Sequence, residues 1–226
     1  YLSIVVKSIG FNDELRRSFQ EALSTYIDAC DKVEIPPSID SFIGKHSKFK
    51  NISKVMIALH ILGYEQQCEK NASFKKNSWL SKLAKFIKQF DLCSPISSSE
   101  IELKIITFNY DRLIEEFLFR EFGQQIEPFV NENLIHVYNK LAYLPWQHQK
   151  LKKIADENSV HIKNGERQKP LPFIHFGHPN YDALRIEERK EDICLIYEER
   201  KDVELKTFMR HANCIYFMGF AFDPEN

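Results

Sequence analysis

The chain has 226 residues, 43% hydrophobic and 28% charged, with a formal net charge of -1, seven glycines, nine prolines and five cysteines. At the ordinary glycine frequency of ~7% roughly 16 would be expected. No two of the seven form a GxG, so a complete dinucleotide fingerprint or a P-loop is excluded within these residues. Charge near zero argues against wholesale nucleic-acid affinity, which rests on a basic excess. No apolar run approaches the ~18 residues that cross a bilayer, so a cytosolic protein of one domain, residues 1–226, is expected.

From Asn12 to Asp31, Leu15, Phe19, Leu23, Tyr26 and Ile27 recur at helical spacing. Pro36-Pro37 ends that helix, and Ser38 then caps a short one with Ile39, Phe42 and Ile43 on one face. A helix is predicted over Ile52 to Cys68, with Val55, Ile57, Ala58, Ile61 and Leu62 apolar. Another is predicted over Trp79 to Phe90, burying Trp79, Leu80, Leu83, Phe86 and Ile87. Residues 12–93 should be mainly helical, and residues 101–226 should hold the sheet.

After the serine-rich loop 94–99, the branched run Leu103 to Phe108 suits a strand covered on both faces. A helix from Asp111 to Phe122 follows, with Leu113, Ile114, Phe117 and Leu118 as its stripe and Gly123 as its left-handed stop. Further strands are read at 134–138, 173–176, 193–197 and 214–218, with a helix near Val203 to Arg210. Alternating strands and helices predict an α/β fold with a doubly wound parallel sheet. The polar stretch from Gln147 to Lys169 reads as a solvated helix followed by a loop.

In an open parallel sheet, ligands sit beyond the carboxyl ends of the strands. Three such ends stand out. At Thr107-Phe108-Asn109-Tyr110-Asp111 the polar side chains either serve a ligand or simply cap the following helix. At Ile135-His136-Val137-Tyr138-Asn139 the imidazole is either a base able to work near neutral pH or a satisfied core histidine. At Met218-Gly219-Phe220 a glycine allows close approach of a ligand or only a turn, and Asn226 offers an amide to a sugar or base. His175 and His178 have HxxH spacing, but without a clear third ligand, even with Asp182 nearby, no metal is expected. Cys30, Cys68, Cys93, Cys194 and Cys214 are scattered without a CxxC pair and read as buried thiols.

Together these segments resemble the bacterial sirtuin-like (silent information regulator type) NAD-hydrolysing domains of anti-phage defence proteins. Pro37-Ser38-Ile39-Asp40-Ser41-Phe42-Ile43 resembles the family's S-I-D-x-F-L helix, and the next helix, with Lys54, Ala58 and Glu65, its helical insertion. Thr107-Phe108-Asn109-Tyr110-Asp111-Arg112-Leu113-Ile114-Glu115 resembles T-x-N-Y-D-x-L-I-E, the most specific of these motifs. His136-Val137-Tyr138-Asn139-Lys140-Leu141 resembles H-V-Y-G-K-L, and the segment from Met218 to Asp223 a late G-F-S/G-F strand end. Asn139 and Ala142 stand where the family carries glycine. The family's glycine-containing G-A-G-x-S turn is not among these residues and is expected upstream of Tyr1.

The resemblance implies a Rossmann-like sheet with a helical insertion subdomain and cleavage of the nicotinamide-ribose bond of NAD, which is substrate rather than prosthetic group. It assigns His136 as base, Asn109 to orient water and ribose, and Asp111 to the nicotinamide pocket or loop. Thr107, Phe108, Gly219, Phe220 and Asn226 would contact ribose or adenosine. It further implies NAD depletion in defence, a homo-oligomer, and a complex with a HerA-type ATPase or an Argonaute-like protein. Two alternatives remain: an NAD- or ADP-ribose-binding regulatory domain without turnover, and a protein deacetylase, disfavoured because the four-cysteine zinc ribbon usual in such enzymes is missing. The chemistry agrees with a hydrolase that lacks a paired acid and base. Nicotinamide leaves a pyridinium as a neutral molecule, so no proton need be given to it. A base, a positioning group and a shielded cleft suffice.

Overall fold

A computed structural model describes residues 13–32, 39–70, 78–91, 102–163, 173–177, 193–195, 198, 202–210 and 212–216. In chain order its helices are α1 (Asp13–Cys30), α2 (Ile39–Lys45), α3 (Lys50–Lys70), α4 (Trp79–Gln89), α5 (Leu113–Phe122), α6 (Glu127–Asn133), α7 (His148–Lys163) and α8 (Asp202–Met209). Its strands are β1 (Ile105–Thr107) and β2 (Leu134–His136), joined through α5 and α6. They pair in parallel with Thr107 opposite His136, and the Val137 amide extends the ladder to the Thr107 carbonyl at 2.9 Å.

Other extended segments pair with one another only at single points. Tyr143 and Phe173 form a parallel bridge, and the Cys194 amide donates to the Tyr138 carbonyl at 3.0 Å. Only two strands of the expected sheet therefore form among the described residues. The reading of a strand at 214–218 is not matched over 214–216, where Ile215 and Tyr216 are exposed and carry no ladder. The rest of that run lies outside the described residues.

α3 is the structural centre of the helical part. Ile52, Val55, Ala58, Leu59, Ile61 and Leu62 are buried on it, a set too wide for one stripe. They pack against Phe42 and Ile43 of α2 and against Leu141, Ile174, Ile193 and Leu195. The second core joins Leu80, Ala84 and Ile87 of α4 to Ile114, Phe117 and Leu118 of α5, with Phe129, Leu144 and Trp146. Burial of large side chains such as these contributes roughly 1.5–3 kcal/mol each before chain entropy is subtracted.

Two predicted faces are rotated. On α1 the side chains against the core are Phe19, Ala22, Tyr26 and Ala29, whereas Leu23 and Ile27 are exposed. On α4 Trp79 and Phe86 are exposed and Ala84 is buried. In both, small alanines permit close packing on one side of the helix, while hydropathy alone favours the larger residues beside them. Gly123 ends α5 with φ +68, and its N–H returns to the Phe119 carbonyl. α6, with Pro128 in its first turn, has no counterpart among the predicted elements. Among the described residues no helix is long and apolar enough to cross a membrane.

Candidate functional site

The site is built where the carboxyl ends of β1 and β2 meet the start of α5. Thr107, buried at the end of β1, accepts the Asn109 amide on its hydroxyl at 3.1 Å. That bond turns the chain away from the sheet. Asp111 accepts the Leu113 amide at 3.1 Å and so satisfies one of the free donors at the start of α5. Asp111 makes this bond from the position before Arg112, the N-cap residue of α5. Asn109 has another role, since its carbonyl faces Nδ1 of His136 at 2.8 Å while the residue itself is exposed.

His136 lies with its side chain only 5% exposed, its Nε2 2.9 Å from Oε1 of Glu115. Lys140 donates to the same oxygen at 2.7 Å. Burial, the largest influence on Glu115, works to raise its pKa, but the charges of Lys140 and His136 and their hydrogen bonds overcome it. The carboxyl is held well below the ordinary carboxylate range and is ionised. Its other oxygen, Oε2, is buried without a hydrogen-bond partner among the described residues.

Both ring nitrogens of His136 are thus engaged by oxygen atoms, and which of them carries the proton depends on the tautomer.

Burial pushes the Asp111 carboxyl up from its ordinary value of 3.8; the Leu113 N–H opposes this, Glu65 and Glu115 add to it, and His136 lowers it. A raised folded value means that stability is lost as pH climbs. Below 3.8 both states hold the proton; above it the unfolded chain ionises first, and the penalty is complete once the folded carboxyl also ionises. Asp111→Asn keeps the oxygen that caps α5 and removes that charge. It should therefore raise stability at pH 7, with the gain vanishing towards pH 3. Urea unfolding at the two pH values reads this directly, and a loss of stability at pH 7 would contradict it.

A second buried cluster holds the site's loop. Arg112, between Asp111 and Leu113, is fully buried against fully buried Glu65 of α3. Its Nε donates to Oε1 at 3.0 Å and Nη2 to Oε2 at 2.7 Å, while the Arg112 amide reaches Oε1 at 3.1 Å. Nη1 and Nη2 also donate to the carbonyls of Ile174 and His175, at 2.6 and 3.3 Å. The Gly177 amide completes Glu65 at 3.2 Å. Gly177 has φ +66, and a Cβ there would stand 3.1 Å from the Gln66 backbone, so any other residue would be strained. Lys54, Ala58 and Glu65, the three α3 residues of the resemblance, are all buried; Lys54 pairs with Glu198 at 3.0 Å.

After β2 the chain makes two left-handed turns, Asn139 at φ 58 and Ala142 at φ 57. These are the two positions where the resembled motif has glycine. Asparagine tolerates that region, whereas alanine is strained by about 1 kcal/mol or more. Ala142→Gly should stabilise the protein by roughly 0.5–1 kcal/mol. A lower denaturation midpoint for this variant would show that the lost methyl packing outweighs the relieved backbone.

Phe108 is partly exposed, its ring 6.1 Å from that of Tyr138. Gly219, Phe220, Asn226, His178 and Asp182 lie outside the described residues. Among the described residues no group of three His, Cys, Asp or Glu side chains is arranged for a metal ion. The reading of the cysteines as buried thiols needs correction. Cys68 is buried, Cys30 and Cys194 are half-buried and Cys214 is exposed, while Cys93 lies outside the described residues. Glu115, Lys140, Arg112 and Glu65 were given no role from sequence. Glu115 and Lys140 lie inside the quoted motifs, but the convergence of Lys140 and His136 on one oxygen of Glu115 depends on the pairing of β1 with β2. Compared with protein-family models, with curated proteins and with solved structures, the chain matches none.

Proposed function

We propose that this protein is an NAD glycohydrolase of Rossmann-like fold with a helical insertion, cleaving the nicotinamide-ribose bond. The observation that carries the reading is the approach of Nδ1 of His136 to the backbone carbonyl of Asn109, at 2.8 Å, at the carboxyl ends of two parallel strands. This is where an open parallel sheet binds its ligand. Two further features agree with it. Asn139 and Ala142 have the left-handed backbone that glycines at those motif positions would supply, and Asp111 is a half-buried carboxyl near His136 with a raised pKa.

The roles follow from the chemistry. As the C–N bond breaks, its electron pair returns to the pyridinium nitrogen and nicotinamide leaves neutral. Water attacks the ribose carbon, and His136 takes the proton that water gives up. The Asn109 amide orients that water, and Asp111 lies against the nicotinamide. Phe108 and Thr107, with Gly219, Phe220 and Asn226, take the ribose and adenosine side. The cytosol, where NAD is plentiful, is the proposed compartment. NAD depletion in anti-phage defence is the proposed outcome, in a homo-oligomer or with an ATPase or Argonaute-like partner.

A second reading, binding of NAD or ADP-ribose without turnover, is favoured by one specific observation. Both ring nitrogens of His136 are already engaged. Incubating the full-length protein with NAD, and separating nicotinamide from intact dinucleotide, decides between the two. Nicotinamide release that disappears in His136→Ala and Asn109→Ala supports hydrolysis; retention of intact NAD supports the second reading.

A further inference from the structure

We infer that Glu115 is the positioning residue of this site: it holds the proton on Nε2 of His136 and leaves Nδ1 as the nitrogen that exchanges a proton with the substrate. The inference rests on the hydrolase reading for the identity of that substrate, but the assignment of the nitrogens rests on geometry alone. The two ring nitrogens have different partners. Nε2 faces a fully buried carboxylate that is charge-paired with Lys140 and fixed on α5, one helical turn beyond Asp111. Nδ1 faces only the carbonyl of Asn109, an exposed residue of the loop between β1 and α5.

An acceptor that is charged, buried and carried on a helix keeps its N–H more firmly than a neutral carbonyl on a loop. The neutral ring therefore carries its proton on Nε2 and its lone pair on Nδ1, and water reaches that lone pair when the loop carbonyl of Asn109 turns aside. A water O–H bond breaks, its proton passes to Nδ1, and its oxygen bonds the ribose carbon as nicotinamide departs with the C–N electron pair. Glu115 is not consumed and receives no proton. Its part is to fix the tautomer and the ring plane, as a carboxylate does in other imidazole bases. Asp111 and Lys140 are the other charged groups near the ring, and neither is hydrogen-bonded to it in the described contacts.

The test uses the full-length chain labelled with 15N-histidine, the His136 signals being assigned by their loss in His136→Ala. In long-range 1H–15N spectra recorded through the titration of the ring, Nε2 is expected to keep its proton while the Nδ1 resonance moves. A proton retained on Nδ1 while Nε2 moves overturns the inference, and this reading needs no variant of Glu115. In Glu115→Gln the Nε2 preference should be lost, and kcat for NAD should fall about tenfold or more with KM within about twofold. Unchanged kcat together with an unchanged tautomer overturns the inference. If the unaltered chain leaves NAD intact but holds the proton on Nε2, the hydrolase reading fails and the assignment to Glu115 stands. If NAD is consumed and the proton sits on Nδ1, hydrolysis stands and this inference fails.

Discussion

Arg112→Ala is expected to cost about 3–5 kcal/mol of folding stability, because it strands a buried carboxylate. Glu65 is fully buried and loses both guanidinium bonds, at 3.0 and 2.7 Å. The carbonyls of Ile174 and His175 lose their donors as well. Only the amides of Arg112 and Gly177 still reach the carboxylate, and two neutral donors do not offset a buried charge. Against a typical total of 5–15 kcal/mol, such a loss leaves little. Arg112→Lys should recover a minor part, since an ammonium cannot reproduce the two-pronged contact. Denaturant unfolding measures both. An Arg112→Ala variant within about 0.5 kcal/mol of the parent would mean that the pair is not what holds α3 to the start of α5. Because Arg112 sits directly after Asp111, its loss should also loosen the site in any molecules that remain folded.

The second large effect is on activity. Under the hydrolase reading, His136→Ala should lower NAD turnover by about 10²- to 10⁴-fold, the usual contribution of a positioned base. The fold should survive, because the ladder bond from Val137 to Thr107 is made by the backbone and Glu115 keeps Lys140. A thermal unfolding curve on the same sample guards against mistaking misfolding for lost chemistry. Asn109→Ala separates two roles of one residue. It removes the side chain assigned to the water and leaves the carbonyl that faces Nδ1. If only that carbonyl matters, turnover is unchanged and the role given to the Asn109 amide is wrong. Full activity in His136→Ala would remove the reading altogether.

Much of the helical part was legible because helical periodicity is a local property. The ends of α1 and α4 agree with the apolar spacing to within a residue or so, and the stripe of α5 is the one its sequence suggests. Which side of α1 and α4 turned inward was less legible. The choice was made by shape at the contact, where Ala22, Ala29 and Ala84 allow closer approach than Leu23, Ile27 or Phe86. The strand cores were readable as apolar runs, but their ends were not, because a strand extends only as far as its neighbour supplies hydrogen bonds.

The site divides in the same way. By itself the sequence determined which residues stand at strand ends, since Asn109, Asp111 and His136 each lie beside a short branched apolar run. The left-handed backbone at Asn139 and Ala142 is a finding of the structure, since the sequence shows there only two departures from the glycines of the resembled motif. Only the tertiary structure decided that His136 and Lys140 share one oxygen of Glu115, and that Glu65 reaches 47 residues along the chain to Arg112. The reason is physical. Periodicity and turn chemistry act between near neighbours in sequence, whereas the pairing of a buried charge is enforced by desolvation, and its partner is whichever group the fold brings into the same dry volume.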